Sequence, residues 1–193
     1  MLAVIDTGNI TSLSLALQRI KTDFVVTRDP EAVQAADGII FPGQGRAGTT
    51  MKLLTDLGLT EVLTGWTKPY LGICLGMQLL GDFSEEDDIP GLNVFPGVTV
   101  KFASTLITPH MGWNPVQLDR TSPLTKGIED KTCFYFVHSY YLDNPACEVV
   151  GATDYGSRFP SIVQLQNFYG VQFHPEKSGP AGIQILKNFV SLC

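Results

Sequence analysis

The sequence predicts an α/β fold, in which a central parallel sheet is flanked by helices and extended by antiparallel strands in the second half of the chain. Three observations carry this expectation. Short apolar runs alternate with helix-period patterns through the first half, β-rich segments broken by Pro and Gly follow residue 90, and an amphipathic stretch closes the chain.

The elements can be justified in order. "LAVI" at 2–5 reads as a first buried strand, and Leu13, Ala16, Leu17 and Ile20 then recur at the spacing of one helix face. "DFVVT" starts a second unit, whose helix is opened by Asp29 as N-cap, Pro30 at the first helical position and Glu31 beside it. "GIIF" at 38–41 leads into a glycine-rich turn and an amphipathic stretch carrying Met51, Leu54 and Leu57. A second helix around "TEVLTGW" follows, then "YLGI". Four strand–helix units of this kind imply parallel strands. Beyond residue 90, "GLNVFPGVTVKF", "GWNPVQL", "TCFYFVHSYYL", "CEVVGAT" and "SIVQLQNFYGVQFH" read as mixed or antiparallel strands. The final "AGIQILKNFVSL" sets Ile183, Leu186, Phe189 and Val190 on one helical face.

Length and composition bound the function. With 44% hydrophobic residues in 193, the chain can bury a full core, and residues 1–193 are expected to form one domain. A net charge of -6, with 13 basic residues spread thinly, argues against a nucleic-acid footprint or an anionic membrane surface. A small-molecule substrate or a protein partner fits better. The apolar run before Asp6 is too short for a secretory signal or a membrane span. Cys74, Cys133, Cys147 and Cys193 form no C-x-x-C pair and no zinc-like spacing with the three histidines. No metal or cofactor is expected, and a reduced, cytoplasmic protein is the simplest reading.

Three motifs carry chemistry. In an open parallel sheet, functional groups gather where strands end and the loops to helices begin. Gly72-Ile73-Cys74-Leu75-Gly76 is the cysteine version of the G-x-S-x-G nucleophile elbow, whose flanking glycines relieve crowding around a strained nucleophile. A helix N-terminus after it favours thiolate, and the Leu75 N–H faces any oxyanion formed there. Taken alone, the stretch also fits a buried structural cysteine between packing glycines. "YGVQFHPEKS" at 169–178 ends a strand in His174-Pro175-Glu176. Proline biases His174 toward extended geometry, so residues 174 and 176 can project to the same side and the carboxylate can orient the imidazole as a base. By itself H-P-E also fits a surface pair after an edge strand. "FPGQGRAG" at 41–48 is a glycine-rich turn after a strand end, free to present backbone N–H groups to an oxyanion. It lacks both phosphate-loop patterns, and an ordinary tight turn is the alternative.

With a cysteine elbow, a late H-P-E and an early P-G-x-G turn in that order, the sequence resembles the class I (triad) glutamine amidotransferases. "GICLGMQLL", "PHMGWN" (109–114), "YFVHSYY" (135–141) and "GVQFHPEKS" narrow the resemblance to the glutaminase subunits of imidazole glycerol phosphate synthase, over essentially the whole chain. That resemblance implies a flavodoxin-like fold and hydrolysis of glutamine to glutamate and ammonia. The ammonia would pass to a (β/α)8-barrel cyclase subunit in a heterodimer. It makes Cys74 the nucleophile, His174 the base and then acid, and Glu176 the orienting group. Gln78, Gly45, Ser139 and Tyr140 would contact glutamine, backbone N–H groups of Leu75 and the Gln44-Gly45 turn would hold the oxyanion, and Trp113 and Lys177 would lie toward the synthase interface.

Two stretches depart from the family pattern. "DTGNITS" is shorter than the usual first turn, and Gln44 and Arg46 stand where the family more often has a small apolar residue and no arginine. Their position beside the turn raises the hypothesis that they bias whether it presents N–H or C=O to the site. Three other readings keep the fold: a glutaminase serving another acceptor, a cysteine peptidase or γ-glutamyl hydrolase acting alone, and a silent partner-binding subunit. The last would be marked by a missing triad member, and none is missing.

Overall fold

The computed structural model describes residues 1–193. The first half alternates as expected: β1 (Leu2–Ile5), α1 (Thr11–Arg19), β2 (Phe24–Thr27), α2 (Pro30–Gln34), β3 (Gly38–Phe41), α3 (Ala47–Asp56), α4 (Leu59–Thr64), β4 (Tyr70–Ile73) and α5 (Leu75–Gln78). Asp29 caps α2 through its side chain, which accepts the Glu31 N–H at 3.1 Å, with Pro30 at the start of the helix. The second half is mainly strand: β5 (Phe83–Ser84), β6 (Ile89–Pro90), β7 (Val98–Lys101), β8 (His110–Leu118), β9 (Thr132–His138), β10 (Tyr140–Asp143), β11 (Glu148–Tyr155), β12 (Ser157–Leu165) and β13 (Phe168–Val171). Helix α6 (Gly179–Val190) ends it.

Nine strands form the main sheet in the order β2-β1-β3-β4-β13-β12-β11-β8-β9. Pairing is parallel from β2 to β13 and antiparallel from β13 to β9. β1, β3, β4 and β13 are buried on both faces, which is why they read as apolar runs, while β2 at the edge is half-buried. Leu2, Val4, Ile40, Leu71 and Ile73 join the core layer under α1 and α6, while Ala3, Ile5, Ile39, Phe41 and Tyr70 join the layer with Val33, Leu54, Leu59 and Leu63 of the helices opposite. A second sheet, β10-β7-β5-β6, was not foreseen; two of its strands are two residues long, too short to show an alternating pattern.

The apolar face expected on the last helix packs on the core, and its buried stripe is wider than Ile183, Leu186, Phe189 and Val190 alone. The buried stripe of α6 runs through Gly182, Ile185, Leu186, Asn188 and Phe189, with Ile183 and Val190 at its margins. Asn188 can be buried because its amide donates to Leu124 O and Lys126 O, both at 2.8 Å. Cys133 is exposed, because it lies on the outward face of β9, whose inward residues Phe134 and Phe136 are buried. Cys74 is the buried one, and no two cysteines are bonded.

Candidate active site

Three adjacent parallel strands bring the three motifs to one edge of the sheet. β3 pairs with β4 through Phe41↔Gly72, and β4 with β13 through Ile73↔Val171. The turn after β3, the elbow after β4 and the His-Pro-Glu stretch after β13 therefore leave the sheet side by side, at the carboxyl ends of its strands.

Cys74 turns the chain from β4 into α5 with φ 52° and ψ -108°, a left-handed backbone that a non-glycine residue seldom adopts. Neighbours hold it there. The Cys74 N–H donates to Val171 O at 2.7 Å, and its carbonyl accepts from Met77 and Gln78 N–H groups, each at 3.0 Å. Close backbone packing around the elbow demands glycine at three positions: Gly43, Gly72 and Gly76. A Cβ on Gly76 would lie 2.1 Å from Phe41 O, and one on Gly43 would lie 2.1 Å from both Ile73 O and Leu75 N. The glycine-rich turn thus rests directly on the elbow.

The imidazole of His174 is 3% exposed, and its Nδ1–H donates to Glu176 Oε1 at 2.9 Å, leaving Nε2 for the thiol side. The backbone of His174 is pinned to β9: its N–H donates to Tyr135 O at 2.9 Å, and its carbonyl accepts from Ser178 Oγ at 2.6 Å. Burial opposes charge on this ring, yet hydrogen bonding to Cys74 and Glu176, with their Coulombic attraction, raises its pKa to about 10. The geometry favours a proton resting on the imidazole between a sulfur and a carboxylate, ready to be given up to a leaving group.

A cavity of about 410 Å³ opens on the sulfur, a size suited to a small-molecule substrate. Gly43, Gln44, Gly45, Cys74, Leu75, Gln78, Ser139, Tyr140, His174 and Lys177 line it. Glu176 stands behind His174, outside the cavity lining. No three His, Cys, Asp or Glu side chains are grouped to hold a metal ion.

Comparison with known proteins decides what this site belongs to. The family described as "Glutamine amidotransferase class-I" matches residues 3–193. A Mannheimia succiniciproducens protein named "Imidazole glycerol phosphate synthase subunit HisH" is 44% identical over 190 residues, covering 97% of each chain. A Legionella pneumophila protein named "Imidazole glycerol phosphate synthase subunit HisH 2" is 47% identical over 198 residues, covering 100% of this chain and 98% of its own. The chain belongs to the class I glutamine amidotransferases, within the HisH family. Solved folds agree with the architecture: a glutamine amidotransferase structure superposes with a TM-score of 0.77 at 19% identity, covering 99% of this chain and 97% of its own. One from Thermotoga maritima reaches 0.70 at 16% identity, over 98% of this chain and 80% of its own.

Among the residues singled out for this amidotransferase chain, Arg46, Trp113 and Glu176 lie off the cavity wall. Trp113, on β8, is 58% exposed and packs edge-on to Tyr135 with ring centroids 6.1 Å apart. Arg46 does not turn toward the site. Its guanidinium pairs with Asp87, while Gln44 remains on the cavity wall. The sequence reading passed over Glu86, Pro109, Val137 and His138 on the wall, and Gln172, whose Nε2 lies 3.5 Å from Cys74 Sγ. For Gln172 a signal existed: in a strand, residue 172 projects to the same face as 174.

Proposed function

We propose that this chain, acting as one domain over residues 1–193, is the glutaminase subunit of an imidazole glycerol phosphate synthase. It hydrolyses glutamine to glutamate and ammonia, which a (β/α)8-barrel cyclase subunit consumes in forming imidazole glycerol phosphate and aminoimidazole carboxamide ribotide. The observation that carries the catalytic assignment is the strained Cys74 elbow facing the Glu176-bound ring of His174 at the mouth of one cavity.

The chemistry follows from those positions. Cys74 Sγ attacks the side-chain amide carbon of glutamine, and the negative charge moves to the amide oxygen. Leu75, first residue of α5, has no intrahelical acceptor for its N–H, so that donor and the Gln44-Gly45 turn are available to the oxyanion. Collapse breaks the C–N bond as His174 delivers its proton to the departing nitrogen, releasing ammonia and leaving a γ-glutamyl thioester. His174 then takes a proton from water, whose oxygen displaces the sulfur to give glutamate. Glu176 keeps the ring in one tautomer throughout. Gln78, Ser139 and Tyr140 hold the glutamine, while Trp113 and Lys177 face the cyclase.

A reduced cytoplasmic setting suits this role, and no helix is long and apolar enough to cross a membrane. The test is glutamate release by the purified chain, alone and with a cyclase subunit and its ribotide substrate, with Cys74→Ala as control. Stimulation that disappears in the variant is expected. Release that the cyclase leaves unchanged would indicate another acceptor, and no release under any condition would indicate a silent subunit.

A further inference from the structure

One backbone carbonyl sets the direction of the hydrogen bonds around the cavity. Tyr140 O can only accept, so both groups that reach it must donate: Gln78 Nε2 and His138 Nδ1, each at 2.7 Å. The Gln78 amide is thereby oriented, because a flip would set oxygen against oxygen. Its second N–H meets Gln172 Oε1 at 3.0 Å, and its own Oε1 has no protein donor. Gln172, fully buried on the strand end beside the elbow, must accept at that oxygen. Its Nε2 consequently points the other way, at Cys74 Sγ, 3.5 Å distant.

The same logic runs away from the site. With Nδ1 of His138 donating, its Nε2 accepts from His110 Nδ1 at 3.0 Å, and His110 Nε2 accepts from Asn114 Nδ2 at 3.2 Å. Both rings are thus neutral, and neither can reverse its proton without stranding a bond to Tyr140 O. The orientation of Gln172 is set by Tyr140 O through the Gln78 amide, independently of the two rings.

We propose that Gln172 is a further catalytic residue: its buried side-chain amide donates a hydrogen bond to the Cys74 sulfur and commits Gln78 to offering substrate an acceptor oxygen alone. This role rests on the glutaminase reading above. A donor at the sulfur favours the thiolate that attacks, and an acceptor-only Gln78 suits the α-ammonium group of glutamine. The parallel register places Gln172 there. Ile73 pairs with Val171, so the next residue on each strand, Cys74 and Gln172, become neighbours.

Two substitutions separate the functions of this amide. Gln172→Glu keeps the shape and the acceptor for Gln78 but removes the donor to sulfur; Gln172→Met removes both. The measurements are Cys74 alkylation by iodoacetamide and steady-state glutamate release with the cyclase and its substrate, in samples whose thermal melts show them folded. Alkylation should fall about tenfold in Gln172→Met and further in Gln172→Glu, the loss of a hydrogen bond to a charged group. Glutamine KM should rise in Gln172→Met but stay near wild type in Gln172→Glu, where the loss falls on kcat. Alkylation within about twofold of wild type in either folded variant overturns the proposal, since tenfold corresponds to one such bond.

Should neither variant fold, the wild-type background suffices. The Gln172 side-chain amide resonance, in glutamine-labelled protein, should move upfield in Cys74→Ala, and an unchanged resonance overturns the proposal. Failure of wild type to release glutamate would remove the glutaminase reading and this role together. Normal release by wild type with unaltered Gln172 variants would remove this role alone.

Discussion

Glu176 is the least symmetrical member of the proposed triad. One carboxylate oxygen, Oε1, accepts from His174, while Oε2 is buried without a protein partner. Glu176→Gln can still present an oxygen to Nδ1–H, so the ring keeps its orientation but loses the charge that stabilises it when protonated. A fall in kcat of about 10²-fold or more, with KM nearly unchanged, is expected. Steady-state glutaminase kinetics with saturating cyclase would show it, and a variant with wild-type kcat would remove Glu176 from the mechanism. Gly43→Ala makes a harsher test at this scale, since its methyl would collide with Ile73 O and Leu75 N. It should destabilise the fold by roughly 1–3 kcal/mol, read from denaturant unfolding. Cys74, His174 and Glu176 were legible in the sequence because strained elbows and proline-fixed pairs need particular residues at fixed spacing. Gln172 was legible only as a residue on the face of His174; its contact with Cys74 depends on which strand lies beside β4, and no local pattern encodes that neighbour.

Pairing partners were the part of the fold hidden at the level of elements. Apolar runs announce β3, β4 and β13, yet β4 and β13 lie far apart in sequence and meet only in the parallel register that assembles the site. The hypothesis about Arg46 changes for a similar reason, since its partner sits on a loop with no motif. Asp87 pairs with Arg46 and accepts the Gly48 N–H at 3.0 Å, while Glu86 accepts the Ala47 N–H at 2.9 Å. Two carboxylates from the β5–β6 connection thus satisfy the free donors at the start of α3, directly after the glycine-rich turn. Arg46 acts on the turn from outside, through Asp87, rather than by entering the site. Its side-chain hydrogen bond is the main cause holding the Asp87 carboxyl below its usual range, with the Gly48 N–H adding to it. The clamp is therefore intact at neutral pH and released only as pH falls through that lowered value. Arg46→Ala, or salt near about 1 M in wild type, where the screening length is about 3 Å, should lower kcat several-fold. Glutaminase rates unchanged by both would show that the turn holds its shape unaided.

The whole molecule has three histidines, at 110, 138 and 174, and all are buried around this one site. They act on stability with opposite signs. Burial drives His138 down to about 3 and His110 to about 4, against an ordinary value of 6.5. As pH falls below 6.5, the unfolded chain takes up protons that these two rings refuse in the fold, so stability is lost through the acid range. His174 does the reverse. Burial works against its charge, but hydrogen bonds to Cys74 and Glu176 raise it to about 10, so its stabilisation is full below 6.5 and lost as pH climbs toward that value. Stability should peak near pH 6.5, with slopes of up to about 1.4 kcal/mol per pH unit for each proton: two protons on the acid side, one on the alkaline. Urea unfolding between about pH 5 and pH 8 samples both limbs before the carboxylates and free thiols of the unfolded chain titrate. His138→Gln should flatten the acid limb by one proton, and His174→Gln should abolish the decline above 6.5. A profile in which His138→Gln leaves the acid slope untouched would mean that His138 is charged in the fold and donates from Nε2 to His110, while its Nδ1–H and the Gln78 amide would still donate to Tyr140 O.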